Sequence, residues 1–354
     1  MATNDLGFDP KFLGPSLRFP KLNKKLLAPL TKGDGNEIKF THFSVFVHAD
    51  RRLPILAAVN IKGEEYSADS RVGNEPWQYS GAIEKKYQID NRFYSKDEGT
   101  FDRGHLVRRV DPCWGPKRIS KKGETDTFTW VNCTPQHRKL NRQSGIWFQL
   151  EQHIMEHGVK NKIGNVSVFS GPVLSNSDPL FKIKYNQSPV PIPELFWKVI
   201  VWKKMDGKLY AVGFMMSQSG WIKDKVTPAP KVRKARLDDE YFQNLKFKDH
   251  KTYQVPVETI EKVTGIKFNW KGVNFPYKQK QPTAVRGIGL KKVYAFKTIK
   301  NVKSMVATRG LGSTRKIEEE VQKMPPLSPS KVDELVEKGE GYQLRLFKLS
   351  NITI

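Results

Sequence analysis

Apolar positions in this chain fall mainly into short alternating or continuous runs, the pattern of strands rather than of long helices. Thr41 to Ile61, THFSVFVHADRRLPILAAVNI, predicts two strands around a charged turn at 49–52. DTFTWVN, residues 126–132, alternates and predicts another. NVSVFSGPVL predicts a strand that ends at a Gly-Pro turn, and 195–202 with 209–216 predict a hairpin across Met205-Asp206-Gly207. The exception is GIWFQLEQHIMEHG, residues 145–158. There Ile146, Leu150 and Ile154, with Trp147 and Met155, recur at helical spacing, and Gly158 supplies a C-cap. Strands dominate, so the expected class is α+β: a largely antiparallel central sheet flanked by helices. No repeat of 20–50 residues interrupts this reading.

The pattern divides the chain. Residues 1–37, rich in Pro, Gly and Lys without periodicity, read as an N-terminal arm, and the strand-rich region runs from 38 to 266. Residues 263–317 contain 13 Lys or Arg and no Asp or Glu, with Phe268, Trp270, Phe275, Tyr277, Tyr294 and Phe296 interleaved. This makes 267–317 a basic linker or nucleic-acid-binding segment. Residues 318–340 turn acidic and read as helical, with Ser330 and Asp333 in a capping-box arrangement, so 318–354 reads as a small helical C-terminal extension.

Charge narrows the partners. With 61 Lys+Arg against 36 Asp+Glu the formal net charge is +25, which draws polyanions to the surface. Apolar residues at 38%, among them 20 Phe and 8 Trp, are enough for a real core. Two cysteines, Cys113 and Cys133, exclude a disulfide scaffold and a four-thiolate zinc site; free thiols in a reducing compartment are expected over a Cys113–Cys133 bridge. No secretory leader and no apolar run long enough to span a membrane is visible, so the expected location is the cytoplasm, although export by a dedicated machine leaves the same pattern.

Two blocks carry candidate chemistry. Asp102-Arg103-Gly104-His105 lies in FYSKDEGTFDRGHLVRR, and the second block is DTFTWVNCTPQHRKLNRQSGIWFQLE, residues 126–151. Phosphodiester hydrolysis needs a base for water, a cation on the nonbridging and leaving oxygens, and donors for the developing charge. An imidazole titrating near neutrality suits the first requirement, and guanidinium groups clamp phosphate. A hard Mg²⁺ takes few protein ligands and keeps its waters, so an Asn carbonyl can anchor it. His153 and His157, four apart on the predicted helix, match zinc spacing but lack a third ligand and read as a helix-face pair.

DRGH followed in order by NCTPQ, LN and W-x-x-LE resembles the DNA/RNA non-specific endonuclease family, the ββα-metal or His-Me finger nucleases that include endonuclease G. THFSVFV, RRLPILAAVNI, VFSGPVL and FWKVIVW agree in the flanks, and the resemblance covers roughly residues 38–266. It implies a Mg²⁺-dependent endonuclease, with Mn²⁺ as the alternative ion, that cuts DNA and RNA with little sequence specificity and leaves 5′-phosphate ends. On the matching positions it implies His105 as general base, Arg103 on the scissile phosphate, and Asn141 as the direct metal ligand. Asp102 becomes a supporting partner, Asn132 and Glu151 hold metal-bound waters, and Arg71 stabilises the leaving group. Arg109 is a further candidate phosphate contact. The resemblance also implies a homodimer, and the C-terminal region is a candidate site for a regulatory partner. A defence or toxin effector would use the same chemistry. RQSGI, between Asn141 and the Trp of W-x-x-LE, is about two residues longer than the shortest family versions. Ser144 and Gly145 in it point to a loop before the helix. The competing reading is a non-catalytic nucleic-acid-binding module on a nuclease fold, against which the retained His105, Arg103 and Asn141 argue.

Overall fold

The computed structural model describes residues 7–63, 65, 76–96, 99–141, 147, 150–151, 164–182, 189–228, 251–279 and 282–285, and the backbone of 286–295 and 341–350. Along the chain come β1 (Ile38–Phe40), β2 (Phe43–His48), β3 (Leu53–Lys62), α1 (Asn91–Tyr94), β4 (Phe101–His105), α2 (Lys117–Asp126), β5 (Cys133–His137) and α3 (Arg138–Asn141). Then follow β6 (Asn165–Val173), β7 (Leu180–Phe181), β8 (Leu195–Lys203), β9 (Leu209–Ser217), α4 (Ser219–Ile222), β10 (Val226–Thr227) and β11 (Thr252–Val255). The last described elements are α5 (Val257–Thr264), β12 (Val273–Asn274), β13 (Thr283–Ala284), β14 (Arg286–Ala295) and β15 (Gly341–Ser350).

The α+β class holds. Nine strands form one sheet in the order β1-β2-β3-β6-β8-β9-β11-β13, with β12 alongside β9. Every pairing on the main path is antiparallel, and only β12 runs parallel to its neighbour. The predicted strands at 41–61, 165–174, 195–202 and 209–216 all lie in it, and Gly207 takes the positive φ (77°) that its hairpin turn needs. The turn expected at Gly171-Pro172 is absent, for β6 runs through both residues paired with Trp197 and Phe196.

Both faces of this sheet are buried. On β8, Phe196, Ile200 and Trp202 go to one cluster and Leu195, Trp197, Val199 and Val201 to the other, as a two-residue period requires. The first face is covered by Leu106, Val107, Val131, Leu140, Trp147 and Leu150, which belong to the two candidate chemical blocks. The second is covered by Phe8, Leu13 and Leu17 together with Val257, Ile260, Ile266, Phe268 and Trp270. Burying such side chains contributes roughly 1.5–3 kcal/mol each, and that gain decides where the two flanking segments go.

Four expectations are corrected here. From Gly7 onward the N-terminal arm is docked: Trp270 Nε1 donates to Arg18 O at 2.9 Å and Lys21 N to Lys267 O at 3.0 Å. Residues 267–279 and 282–285 are likewise no linker, for they carry β12 and β13 and bury Phe268, Trp270, Tyr277 and Val285. DTFTWVN is not a strand. Asp126 ends α2, Trp130–Asn132 is a 3-10 turn, and strand structure begins at Cys133, because the Thr127 hydroxyl and Asn132 amide bond locally to the backbone. In the C-terminal extension, 341–350 is extended, pairing with β14 from Arg286↔Ser350 to Ala295↔Gly341 as a separate two-stranded sheet. GYQLRLFKLS suits this, since Tyr342, Leu344 and Leu346 alternate with polar residues. Residues 318–340, read as helical, lie outside the described residues, as do 142–146, His153 and His157. The helix expected at 145–158 is seen at Trp147, Leu150 and Glu151.

Candidate active site

DRGH forms β4, and NCTPQH supplies β5. The two pair antiparallel from Phe101↔His137 through Asp102↔Gln136, Arg103↔Pro135 and Gly104↔Thr134 to His105↔Cys133. β5 runs directly into α3, which ends on Asn141, so strand, strand and helix bring the motif residues together. Gly104 is required by this pairing: a Cβ there would lie 2.2 Å from Gln136 Cδ, and Gln136 is fully buried. His137 N donates to Gln218 Oε1 (2.7 Å), and Gln218 Nε2 donates to Pro135 O (3.1 Å) and Pro193 O (2.7 Å), which fastens the ribbon to the large sheet.

Asp102 and Asn141 meet across the motif. Asn141 Nδ2 donates to Asp102 Oδ2 at 3.2 Å, which commits the nitrogen end of the carboxamide and fixes which way its oxygen faces. Arg103 is exposed; its guanidinium donates to Asn91 Oδ1 and lies 6.0 Å from the Tyr94 ring centroid, both on α1. That helix is capped by Asp90, whose carboxylate takes the Arg92 N–H (2.9 Å) and the Tyr79 hydroxyl; Arg92, Tyr79 and the cap hold its pKa at about 2 against the opposing effect of burial.

His105 stands between two aromatic rings, Trp77 at 4.7 Å and Phe128 edge-on at 5.1 Å. Its Nε2 is enclosed and has no hydrogen-bond partner among the described residues. Burial first, then the nearby Arg109 and Arg108 charges, lowers its pKa to about 3. The ring is therefore neutral, but so low a pKa makes it a weaker proton acceptor than the near-neutral imidazole expected from the sequence.

A family model for the DNA/RNA non-specific endonucleases matches residues 23–274. The chain belongs to that family. It is 32% identical to protein y4fB of Sinorhizobium fredii (strain NBRC 101917 / NGR234) over 273 residues, 74% of this chain and 38% of that protein. It is 28% identical to a salivary endonuclease of Culex quinquefasciatus over 123 residues, 34% of this chain and 29% of that one. The chain thus spans well under half the length of these relatives. Among solved structures it is similar to a chain of the EndoG/EndoGI complex, with TM-score 0.46 and 19% identity over 69% of this chain and 91% of that chain.

The remaining endonuclease-motif residues are placed as follows. Asn132 is wholly buried and clamps the exit from β4: its Oδ1 accepts from Val107 N (2.9 Å), and its Nδ2 donates to Val107 O (2.9 Å) and Thr127 O (3.0 Å). With both ends of the amide on backbone, the role expected for it, holding metal-bound water, gives way to holding the peptide after His105. Arg109 does not stand free for phosphate. It pairs with the buried Glu124 of α2 and lies 5.6 Å from the Phe128 ring centroid. Glu151 is buried, with Arg108 Nε at 3.3 Å and Lys198 Nζ at 3.0 Å. Arg71 lies outside the described residues. Both cysteines are free and buried; Cys133 Sγ lies 3.1 Å from Tyr94 OH, and burial pushes its thiol up to about 12, so it does no chemistry as a thiolate.

Sequence reasoning missed Trp77, Phe128, Asn91, Arg108 and Lys198. Trp77, Asn91 and Lys198 act on motif residues from outside the two blocks, while Phe128 and Arg108 lie inside them without a spacing signal. For a metal, the described residues offer no group of three or more His, Cys, Asp or Glu. What they do offer, a carboxamide oxygen whose nitrogen is anchored on a carboxylate, fits a hard cation that takes few protein ligands and keeps its waters.

Proposed function

We propose that this chain is a metal-dependent endonuclease that hydrolyses phosphodiester bonds of DNA and RNA with little sequence preference. The observation that carries the reading is the β4–β5–α3 arrangement that puts His105, between Trp77 and Phe128, on the same strand as the exposed Arg103 and beside the Asp102–Asn141 pair. The imidazole accepts a proton from the attacking water. Arg103, two residues away and so on the same face of the strand, binds the nonbridging oxygens of the phosphate that the water attacks. Breaking the bond from phosphorus to the 3′ oxygen leaves a 5′-phosphate and a 3′-hydroxyl. Arg71 is assigned to the departing oxygen. Asn141 and Glu151 are the residues that would hold Mg²⁺ or Mn²⁺ and its waters, Asn141 directly and Glu151 through water; a bound ion supplies Lewis-acid stabilisation to the phosphate and leaving oxygens. The net charge of +25 supplies backbone affinity without base readout.

Supercoiled plasmid and a long single-stranded RNA, titrated with MgCl₂ and then with chelator, test this. Both should be degraded to a broad size range with Mg²⁺ and spared with chelator. Tight DNA binding without cleavage at any Mg²⁺ or Mn²⁺ concentration would instead identify a non-catalytic binding module.

A further inference from the structure

Lysine is almost never fully buried unless paired, yet Lys198 is 2% exposed in the middle of β8. It follows Trp197 and precedes Val199 in LFWKVIVW, and on its own face of the strand it lies between the buried Phe196 and Ile200. That face carries the catalytic blocks. Its ammonium makes three contacts there: Glu151 Oε1 at 3.0 Å, Leu106 O at 3.2 Å, and the ring of Trp147, whose centroid is 5.4 Å away. Trp147 and Glu151 are the two ends of W-x-x-LE, and Leu106 is the residue after His105. Leu106 O also accepts from Ser170 Oγ at 3.1 Å on neighbouring β6, while Arg108 takes the other Glu151 oxygen.

We infer that Lys198 is a positioning residue for the hydrolytic reaction, holding the Glu151 carboxylate and the peptide after His105 in one fixed frame. The inference rests on the role given to Glu151 in the proposed function. Stability alone does not account for a lysine at this point. Taking an ammonium and a carboxylate out of water costs several kcal/mol per ion, and an apolar side chain would pack between Phe196 and Ile200 without that cost. The cation instead joins a strand of the rigid sheet to two segments that come from opposite ends of the motif.

The test is a cycle of Lys198→Met, Glu151→Gln and the double variant in the full chain. Melting temperature, kcat, KM for a defined duplex, and Mn²⁺ affinity by electron paramagnetic resonance without substrate would each be measured. Partners that orient a metal's ligands typically matter by about 10–100-fold. Lys198→Met should lose that much in kcat and in Mn²⁺ affinity with KM little changed. Lys198→Arg should recover most of the loss. The double variant should match Glu151→Gln alone, because residues acting as one unit are not additive. If Lys198→Met fails to fold, the double variant, which removes both members of the Lys198–Glu151 pair together, carries the comparison against Glu151→Gln. Wild-type kcat and Mn²⁺ affinity in folded Lys198→Met, with Glu151→Gln impaired, would overturn the inference and leave the role of Glu151 standing. So would additive losses. Wild-type behaviour of Glu151→Gln would overturn the role of Glu151 itself and this inference with it.

Discussion

Asn141 donates its amide N–H to Asp102, so the oxygen of its carboxamide faces away from that carboxylate. This pairing changes what a substitution at 141 should do. Asn141→Asp keeps an oxygen ligand but sets a second carboxylate 3.2 Å from Asp102 Oδ2, and two such groups cannot both ionise freely. We therefore expect Asn141→Asp to be nearly as impaired as Asn141→Ala, and Asp102→Asn combined with Asn141→Asp to recover much of the loss. Mn²⁺ affinity and kcat of the four proteins check this; a fully active Asn141→Asp single variant would show that the pair does not orient the ligand.

His105→Ala should lose hydrolysis by about 10²–10⁴-fold while DNA binding persists. Gel shift and single-turnover cleavage separate the two effects, and wild-type cleavage would exclude His105 as the base.

The lowered pKa of His105 sets the pH dependence. Because burial and two arginines hold it at about 3 rather than 6.5, the ring stays unprotonated as pH falls through 6.5 and 5, so it places no acid limb on kcat/KM in that window. Opening the site with Trp77→Ala lets water reach the ring and should move the limb upward. For stability the sign is also fixed: below 6.5 the unfolded chain binds a proton that the folded one refuses, so stability drains away between about 6.5 and 3. Melting curves of wild type and His105→Gln from pH 7 to 4 should therefore converge or cross, and a constant gap would refute the shift.

Two arginines of similar sequence context should behave oppositely. Arg103 is exposed on the strand that carries His105, so Arg103→Ala should depress kcat/KM by roughly 10²-fold with little change in melting temperature. Arg109 neutralises the buried Glu124; Arg109→Ala strands that carboxylate and should destabilise the fold by about 1–3 kcal/mol. Thermal melts beside kinetics would reveal a reversal of this pattern.

Truncation must respect the second face of the sheet. A chain ending at 266 lacks Phe268, Trp270, Tyr277 and Val285, all buried, and should not fold. A chain ending at 285 keeps them and loses nine of the acid-free segment's basic residues. It should turn over normally at saturating substrate but bind DNA with a shallower salt dependence, by about 0.9 per phosphate contact removed. Unchanged affinity and salt slope would leave the C-terminal segment without a role in substrate binding.

Much of the fold was legible because β2, β3, β6, β8 and β9 announce themselves by apolar runs and turn residues. α2 was not, since it packs through Ser120, Gly123 and Glu124 and shows no apolar stripe. The sequence of residues 7–37 has no periodicity because its buried Phe8, Leu13 and Leu17 cap a sheet rather than extend one. In the site, DRGH and LN were legible as ordered motifs, whereas Lys198 looks like an ordinary polar break in a strand. Only the packing of the site against β8 reveals its partners.

The clasp between Arg18 O and Trp270 Nε1 spans 252 positions. Contacts so far apart in the chain are the last to become available and the slowest to form. During translation Phe8, Leu13 and Leu17 can cover their part of the second face early, but the cover stays incomplete until Trp270 has left the ribosome, so the two flanking segments close over the sheet only after every strand from β1 to β11 has been made.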